Sequence, residues 1–518
     1  MDLIYIIIKQ NKRFCIFLGI LTVFRLIYIS LIPLVPQEAY YWYYSLIPDL
    51  SYFDHPPMIA YSIWLGTHVF GKNIFAIKFM SVVWSVLINI FLYATVLSAL
   101  NSENSEYRKR IAFTAVLFYN LTIFAHLYAI TMVPDSPLLF FWLLMIYCIQ
   151  KYIQSRRITY IYLTGFAFGF ALLCKYTALA ILPAIVLIFL LDQESRKLFF
   201  SPHPYLAMIL SLIIFSPVII WNMNHDWVSF NFQFNSRAEE LKPIQTKYFW
   251  QLLASQLFML TPLHFVLFFV TTKRVIVNWV KDKNTPIFFI TSIFIIGGFI
   301  AVSFRSLVKM NWLLPGYLGL ILATMLIFRD EGIVKKRLFK VGLIISVFLI
   351  IVAHSLLLIP NIPLGEGNTW SGWRDTAQKI SNIQKSMGGK NKIFIFSNSY
   401  KTASLLKYYL PEDEPVYAQN IYGEPALQFD MWGVPSSLKG KSALFIFTDR
   451  REYKPHIEHV EKYFDQISLV QKFEIYFWDT ILTRKIFCYI AKNYHTPFKE
   501  QSLETGKKRN SLTHQDDI

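Results

Sequence analysis

The sequence predicts a polytopic α-helical membrane protein with about eleven transmembrane helices, followed from residue 361 by a small α/β domain. Three observations lead there. Of 518 residues, 55% are hydrophobic and 17% aromatic, and mean hydropathy is positive. The apolar residues gather in runs close to the roughly 17 to 25 residues that a tilted helix needs to cross a bilayer. Basic residues collect in alternate loops, the asymmetry that orients membrane helices.

The runs centre on Phe14–Ile32, Phe75–Ala99, Ile111–Ile130, Pro137–Ile153, Ile161–Cys174, Leu179–Leu191, Tyr205–Trp221, Trp250–Val270, Ile287–Phe304, Leu313–Phe328 and Val341–Ile359. Met58–Phe70 is too brief to span and reads as an interfacial helix. Basic clusters fall at Lys9/Lys12/Arg13, Arg108/Lys109/Arg110, Lys151/Arg156/Arg157, Arg196/Lys197, Lys273/Arg274/Lys281/Lys283 and Lys335/Lys336/Arg337/Lys340. The intervening loops hold Glu38, Asp54, Asp135 and Asp226. The amino terminus is therefore expected in the cytoplasm, with the acidic loops and everything after Pro360 outside an inner (plasma) membrane. The first span has no small-residue cleavage site and reads as a retained helix. The net charge of +17 sits mainly on cytoplasmic loops and the extreme tail, where anionic lipid headgroups explain it without nucleic acid. Four cysteines, three of them within spans, give neither a disulfide framework nor metal spacing.

After Pro360-Asn361-Ile362-Pro363 the pattern changes. Lys392–Ser397 and Ala443–Thr448 read as buried strands and Phe473–Phe477 as a final one, with helices near Thr402–Tyr409 and His456–Phe464. The expected organisation is a membrane domain over 1–360, an extracytoplasmic α/β domain over 361–492, and a polar, basic, disordered tail over 493–518.

The first outer loop concentrates the chemistry. Pro36-Gln37-Glu38-Ala39-Tyr40-Tyr41-Trp42 and Tyr52-Phe53-Asp54-His55-Pro56-Pro57 set carboxylates, an imidazole and aromatics beside the bilayer, where ionisable groups are costly unless used. Glu38 or Asp54 can act as a general base toward an acceptor hydroxyl; Gln37 does not titrate. His55 suits a phosphate or a sugar hydroxyl. The aromatics, Tyr40 and Tyr41 among them, either line a sugar-sized slot or anchor the loop at the headgroups. Asp135, in Met132-Val133-Pro134-Asp135-Ser136-Pro137, caps the following helix, serves a site, or does both. Asn222, His225 and Asp226 lie between Trp221 and Trp227 and open a loop containing Arg237 and Lys242. That cluster reads as a saccharide surface or an interfacial anchor. Lys175, Arg305 and Lys309 run against the positive-inside trend, and the last two flank a short loop ending in Asn311-Trp312. They read as grips for phosphate oxygens or as snorkelling side chains. Arg25, inside the first span, is expected to pair with an acidic residue above it. The sequence contains no Walker loop, dinucleotide fingerprint, HExxH or GxSxG motif, so ATP hydrolysis and zinc proteolysis have no basis.

The ordered stretches PQEAYYW (36–42), YFDHPP (52–57), VPDSPLLFFW (133–142), GFALLCKYTAL (169–179), SPVIIWNMNHDWVSFNFQ (216–233) and KMNWLLPGYL (309–318) span essentially the whole membrane domain. In them the chain resembles the bacterial members of the dolichyl-phosphate-mannose protein mannosyltransferase superfamily, GT-C fold enzymes that include the lipid A aminoarabinose transferases. The carboxyl-terminal domain resembles that group's outer domain more loosely. The resemblance implies a sugar donor carried on polyprenyl phosphate, and transfer with inversion at the outer membrane face to an envelope glycolipid, lipid A-like, or a glycan. In many relatives the first loop carries an Asp-Glu pair whose Asp is the favoured base. Gln37 stands in that place here, leaving Glu38, Asp54, or Asp135 at the family's second acidic position. Glu38 supported by Asp135 is the expected assignment. His55, Lys175, Arg305 and Lys309 are expected to stabilise charge on the leaving phosphate. Some relatives use a divalent cation; no ligand set for one is evident, and no cofactor is expected.

Other functions remain open at this level. A relative of the same class would glycosylate Ser or Thr of secreted protein. A lipid-linked-sugar flippase would place charge near the bilayer midplane and show repeated halves; here the acids lie at outer span ends and no repeat is evident. Gln37 also makes a non-catalytic subunit conceivable.

Overall fold

The computed structural model describes residues 11–236, 242–278, 282–331, 337–358, 370, 372–420, 426–449, 460–477 and 480–495. The helices in chain order are α1 (Lys12–Leu31), α2 (Pro36–Leu46), α3 (Met58–Phe70), α4 (Ile74–Ala99), α5 (Ser105–Tyr119), α6 (Ile123–Ile130), α7 (Asp135–Ser155), α8 (Thr159–Cys174), α9 (Leu182–Leu191), α10 (His203–Met223), α11 (Lys247–Asn278), α12 (Asn284–Ser303), α13 (Leu314–Phe328) and α14 (Arg337–Leu358). Each apolar run of the sequence is helical. Among the described residues, seven helices (α1, α4, α7, α10, α11, α12 and α14) are long and apolar enough to cross a membrane. The pair α5 and α6, bent by 74°, makes an eighth if taken as one span. Thr159–Cys174, Tyr176–Leu191 and Leu314–Phe328 are apolar but shorter. Many outward side chains are themselves apolar, such as Ile16, Ile20, Val23 and Ile27 on α1. Lipid, not water, is the solvent that suits them.

Close helix contacts rest on small residues, as they do where lipid removes the hydrophobic drive between helices. A Cβ added at Gly165 would lie 2.3 Å from the Ala207 carbonyl oxygen, where α8 packs on α10. Two breaks interrupt the helices, and irregular backbone within a membrane must find its partners inside the protein. At the α5–α6 break, the Phe118 carbonyl accepts from His264 Nε2 (2.7 Å), that of Tyr119 from Thr122 Oγ1 (2.8 Å), and that of Asn120 from His126 Nε2 (2.8 Å). The second break is in α11 at Thr261 (φ 65°, ψ 153°), just before Pro262, whose ring removes a donor and disfavours helix in the residue ahead of it. Thr261 Oγ1 lies 3.0 Å from His264 Nδ1 and 2.7 Å from Ser346 Oγ. One imidazole thus braces both breaks.

The chain divides into two units: Met1–Leu31 with Pro48–His354, and Ile32–Ile47 with Ser355–Ile518. The second contains α2 and then α15 (Trp373–Ser386), β1 (Ile393–Ser397), α16 (Tyr400–Tyr409), β2 (Val416–Ala418), α17 (Gln428–Trp432), β3 (Ser442–Asp449), β4 (Phe464–Phe477) and β5 (Ile481–Tyr494). Its sheet runs β2-β1-β3-β5-β4, with β1 parallel to both β2 and β3 and the remaining pairs antiparallel. Phe394, Phe396, Phe445 and Phe464 fill its core. The helix expected near His456–Phe464 falls largely outside the described residues, and Phe464 begins β4. The expected final strand, Phe473–Phe477, is only the end of β4. The actual last strand is β5, which the sequence hides because Arg484 and Lys485 interrupt its apolar residues. Arg484 nevertheless points inward, 3% exposed, with its guanidinium 3.9 Å from the Trp373 ring centroid, a cation–π contact. Of the disordered tail expected over 493–518, Asn493 and Tyr494 end β5, and residues 496–518 lie outside the described residues.

Candidate functional site

The best-defined polar group in the first unit surrounds Asp135, the first residue of α7. Its carboxylate is 3% exposed. Lys175 Nζ donates to Oδ1 at 2.9 Å and Asn311 Nδ2 to Oδ2 at 2.7 Å. Three segments far apart in sequence therefore meet on one carboxylate. Each is held by local structure. Ser136 Oγ donates to the Tyr128 and Thr131 carbonyls (2.9 and 3.1 Å), fastening the turn between α6 and α7. Lys175 is extended (φ −164°, ψ 137°) between the end of α8 and a 3-10 turn, Tyr176–Ile181. Asn311 lies in a turn whose Met310 carbonyl accepts from Gln256 Nε2 (3.2 Å), and Gln256 in turn accepts from Tyr317 OH (2.8 Å). Asp135 thus stands in a first helical turn, where a negative charge is favoured, while both its oxygens serve long-range partners. Lys175, read in the sequence as a phosphate grip, is the buried partner of Asp135, 7% exposed.

A second group joins the loop after α2 to the segment after α10. Asp54 is 6% exposed, and its Oδ2 lies 3.8 Å from His55 Nε2. Gln233 Nε2 donates to the Asp54 carbonyl at 2.8 Å, and Phe53 meets Phe232 at 4.8 Å between ring centroids. Trp221 Nε1 donates to Asp49 Oδ2 at 2.9 Å and its ring stacks on His225 at 4.1 Å. His225 Nδ1 donates to the Trp221 carbonyl (2.8 Å). Asn222 is fully buried: Nδ2 donates to the Val218 carbonyl and Oδ1 accepts from Phe230 N. It therefore shapes the turn that follows. Asp226 and Trp227 both take positive φ (51° and 58°), and both are exposed.

The other predicted cations are Arg305 and Lys309. Arg305 is exposed, and its Nε donates to the Lys242 carbonyl (3.1 Å), while Lys242 N donates back to the Arg305 carbonyl (2.9 Å). Lys309 is exposed, and Trp312 packs on Phe299 at 5.1 Å. Arg237 lies outside the described residues. Arg25 does not meet the acid expected for it. Its guanidinium donates to Ser85 Oγ, to Asn120 Oδ1 (3.0 Å) and to the Ala125 carbonyl (3.2 Å), all neutral.

Glu38, Tyr40 and Tyr41 belong to the second unit. Glu38 is fully buried in the first turn of α2, and its Oε2 accepts from Val35 N at 3.1 Å. Tyr40 OH accepts from Gln428 N (2.9 Å) and from Tyr44 OH (2.7 Å), and the Tyr40 ring stacks against Phe429. Tyr41 packs against Tyr40 and Tyr44. The aromatic belt is thus largely a packing surface for α2.

Sequence reasoning passed over Asp49, Gln233 and Lys78. Asp49 shares the loop of Asp54, and Gln233 closes the stretch 216–233, so both lay within reach. Lys78 is fully buried in the second turn of α4; a lysine within an apolar run was the signal. Among the described residues, no three His, Cys, Asp or Glu side chains gather as metal ligands.

Among the described residues this arrangement stands on seven helices long and apolar enough to cross a membrane, which makes the chain a multi-pass membrane protein. Residues 54–221 match the family model of dolichyl-phosphate-mannose-protein mannosyltransferases. Two structures of ArnT from Cupriavidus metallidurans share the fold. The apo form has a TM-score of 0.63 at 12% identity, and the form bound to undecaprenyl phosphate 0.61 at 11%. Each comparison covers 92% of this chain and 97% of the other. Lipid A galacturonosyltransferase RgtD of Rhizobium johnstonii is 26% identical over 191 residues, 37% of this chain. That match spans only 38% of the relative's own length. The resemblance carried by the sequence motifs is borne out.

Proposed function

We propose that this protein is an inverting glycosyltransferase that moves a sugar from a polyprenyl-phosphate donor to lipid A or a similar envelope glycolipid, at the extracytoplasmic face of the inner membrane. The observation that carries the reading is the buried Asp135–Lys175–Asn311 group at the start of α7. A paired, hydrogen-bonded ionic group within a membrane protein marks a functional site by default. The undecaprenyl phosphate bound in one ArnT structure and the lipid A in the name of RgtD support the donor and acceptor classes proposed here.

In this scheme Glu38 takes the proton of the acceptor hydroxyl as its oxygen attacks the anomeric carbon. The bond from that carbon to the phosphate oxygen breaks, and polyprenyl phosphate leaves with the electron pair. General-base assistance of this kind contributes roughly two to four orders of magnitude. Asp135, paired with Lys175 and hydrogen-bonded by Asn311, supports the reaction by holding Lys175 in place. Lys175, His55, Arg305 and Lys309 oppose the charge that grows on the leaving phosphate. Asp54, His225, Asp226, Asn311 and Trp312 shape the sugar and acceptor surfaces, while the buried Tyr40, Tyr41 and Asn222 support their own segments from behind.

Mass spectrometry of lipid A from cells with and without the protein tests this. A sugar increment that requires the protein and disappears with Glu38→Gln is the expected result. If Glu38→Gln retains the increment and Asp54→Asn loses it, the base is Asp54. Unchanged lipid A alongside newly glycosylated secreted proteins overturns the acceptor. Loss of no glycoconjugate, with lipid-linked sugar accumulating on the inner leaflet, would instead mark a flippase.

A further inference from the structure

The polar cluster around Arg25 belongs to none of the groups above. Arg25 is 1% exposed and His354 9%. Asn120, which holds the guanidinium, itself donates to Asn89 Oδ1 (2.6 Å), and Asn89 donates to the Ser85 carbonyl (2.8 Å). Beside this net the His126 and His354 rings meet edge to face, 5.0 Å between centroids. Tyr28 packs on His354 at 4.9 Å and donates to its carbonyl (2.6 Å). Three buried nitrogens here have no hydrogen-bond partner among the described residues: Arg25 Nε, His126 Nδ1 and His354 Nε2. They come from three different helices, α1, α6 and α14.

The hydrogen-bonding sense of each nitrogen follows from its neighbours. His126 Nε2 faces the Asn120 carbonyl and His354 Nδ1 the Ile350 carbonyl (2.9 Å). A carbonyl only accepts, so those two nitrogens carry the protons of neutral rings. The opposite nitrogens, His126 Nδ1 and His354 Nε2, then offer lone pairs, whereas Arg25 Nε offers a proton. Buried donors and acceptors are costly when left unmatched.

We propose that these three nitrogens bind one water molecule, which donates its two hydrogens to the imidazoles and accepts from the guanidinium. A cation is disfavoured by the charge of Arg25, and an anion by the two lone pairs. A small neutral molecule with two donors and an acceptor fits all three, and three hydrogen bonds are typical of a structural water. This water ties the broken helix pair to the first and last spans.

The test is a high-resolution crystal structure of the full chain grown in a lipid mesophase, with thermal unfolding of His126→Leu, His354→Leu and the double variant. The expected map shows one isolated peak within hydrogen-bond distance of all three nitrogens. Losses of thermal stability should be non-additive, the double variant falling little further than the worse single one. Direct contact between Arg25 Nε and either imidazole with no intervening peak overturns the proposal. So does an anomalous peak at that position after bromide exchange, which would mark an anion site, or strictly additive thermal shifts.

Discussion

Lys175 and Asn311 divide the two oxygens of Asp135 between them, and the consequences of removing each differ. Lys175→Met leaves a carboxylate buried without its cation, a change that typically costs roughly 3–5 kcal/mol. Asn311→Ala removes one hydrogen bond to a charged group, worth about 1.5–3 kcal/mol. Lys175→Met is therefore expected to abolish the proposed sugar transfer and lower the unfolding temperature sharply, with Asn311→Ala retaining part of that activity. Paired transfer assays and thermal scans check the order, and an equal loss from both would contradict it. Away from the site, Asp192 makes a pH prediction. Burial works to raise its carboxyl, but hydrogen bonds from Arg156 and from the Ser195 hydroxyl and backbone outweigh it and hold the group at about 2. A depressed carboxyl stabilises the fold at pH values above its ordinary pKa, about 3.9. That contribution fades as pH falls from about 4 toward 2. Asp192→Asn should lower the unfolding temperature at pH 6 and flatten its decline below pH 4, measured by scanning fluorimetry. At this scale legibility was uneven. Asp135 announced itself as an acid at a span boundary followed by Ser-Pro. The neutral setting of Arg25 did not, because its partners lie 60, 95 and 100 residues away and carry no charge to betray them.

Among the helices, Gly165 shows how little room the packing leaves. With the Ala207 carbonyl 2.3 Å from where a Cβ would sit, Gly165→Ala must push α8 away from α10 or unwind one of them. The expected result is a lower yield of folded protein and a reduced unfolding temperature, whereas Gly19→Ala, with nothing within 4 Å, should be neutral or better. Size-exclusion profiles and thermal scans of the two variants make the comparison. Helices were the most legible elements because apolar runs announce them directly. Their breaks were not: the 74° bend between α5 and α6 falls in an apolar run containing neither proline nor glycine. Its carbonyls are satisfied by His126 and His264, and His264 is remote in sequence. β5 escaped for a similar reason, since a buried Arg484 over Trp373 reads as a surface charge until the partner ring is known.

For the whole molecule, the proposed orientation makes a direct prediction. Phe200, 94% exposed, lies in a loop assigned to the cytoplasm, and the exposed Asp226 in one assigned to the opposite side. Native cysteines give little background, since Cys148, Cys174 and Cys488 are buried and Cys15 half-buried. An impermeant thiol reagent applied to cells with a permeabilised outer envelope should label Asp226→Cys and spare Phe200→Cys. The reverse pattern would put the transfer reaction in the wrong compartment. The grouping of residues into units was less legible than the helices. A reading by position assigns the first loop to the helices on either side of it, yet Ile32–Ile47 clusters with the carboxyl-terminal residues.

That grouping has a bearing on biosynthesis. Tyr40 OH waits for Gln428 N, 388 residues later in the chain. At about 5–20 residues per second on the ribosome, the delay is roughly 20–80 s. Throughout that interval α2, with Glu38 on it, has neither α16 nor α17 to pack against. A nascent or prematurely terminated chain can thus insert its helices before α2 has the carboxyl-terminal partners it packs against.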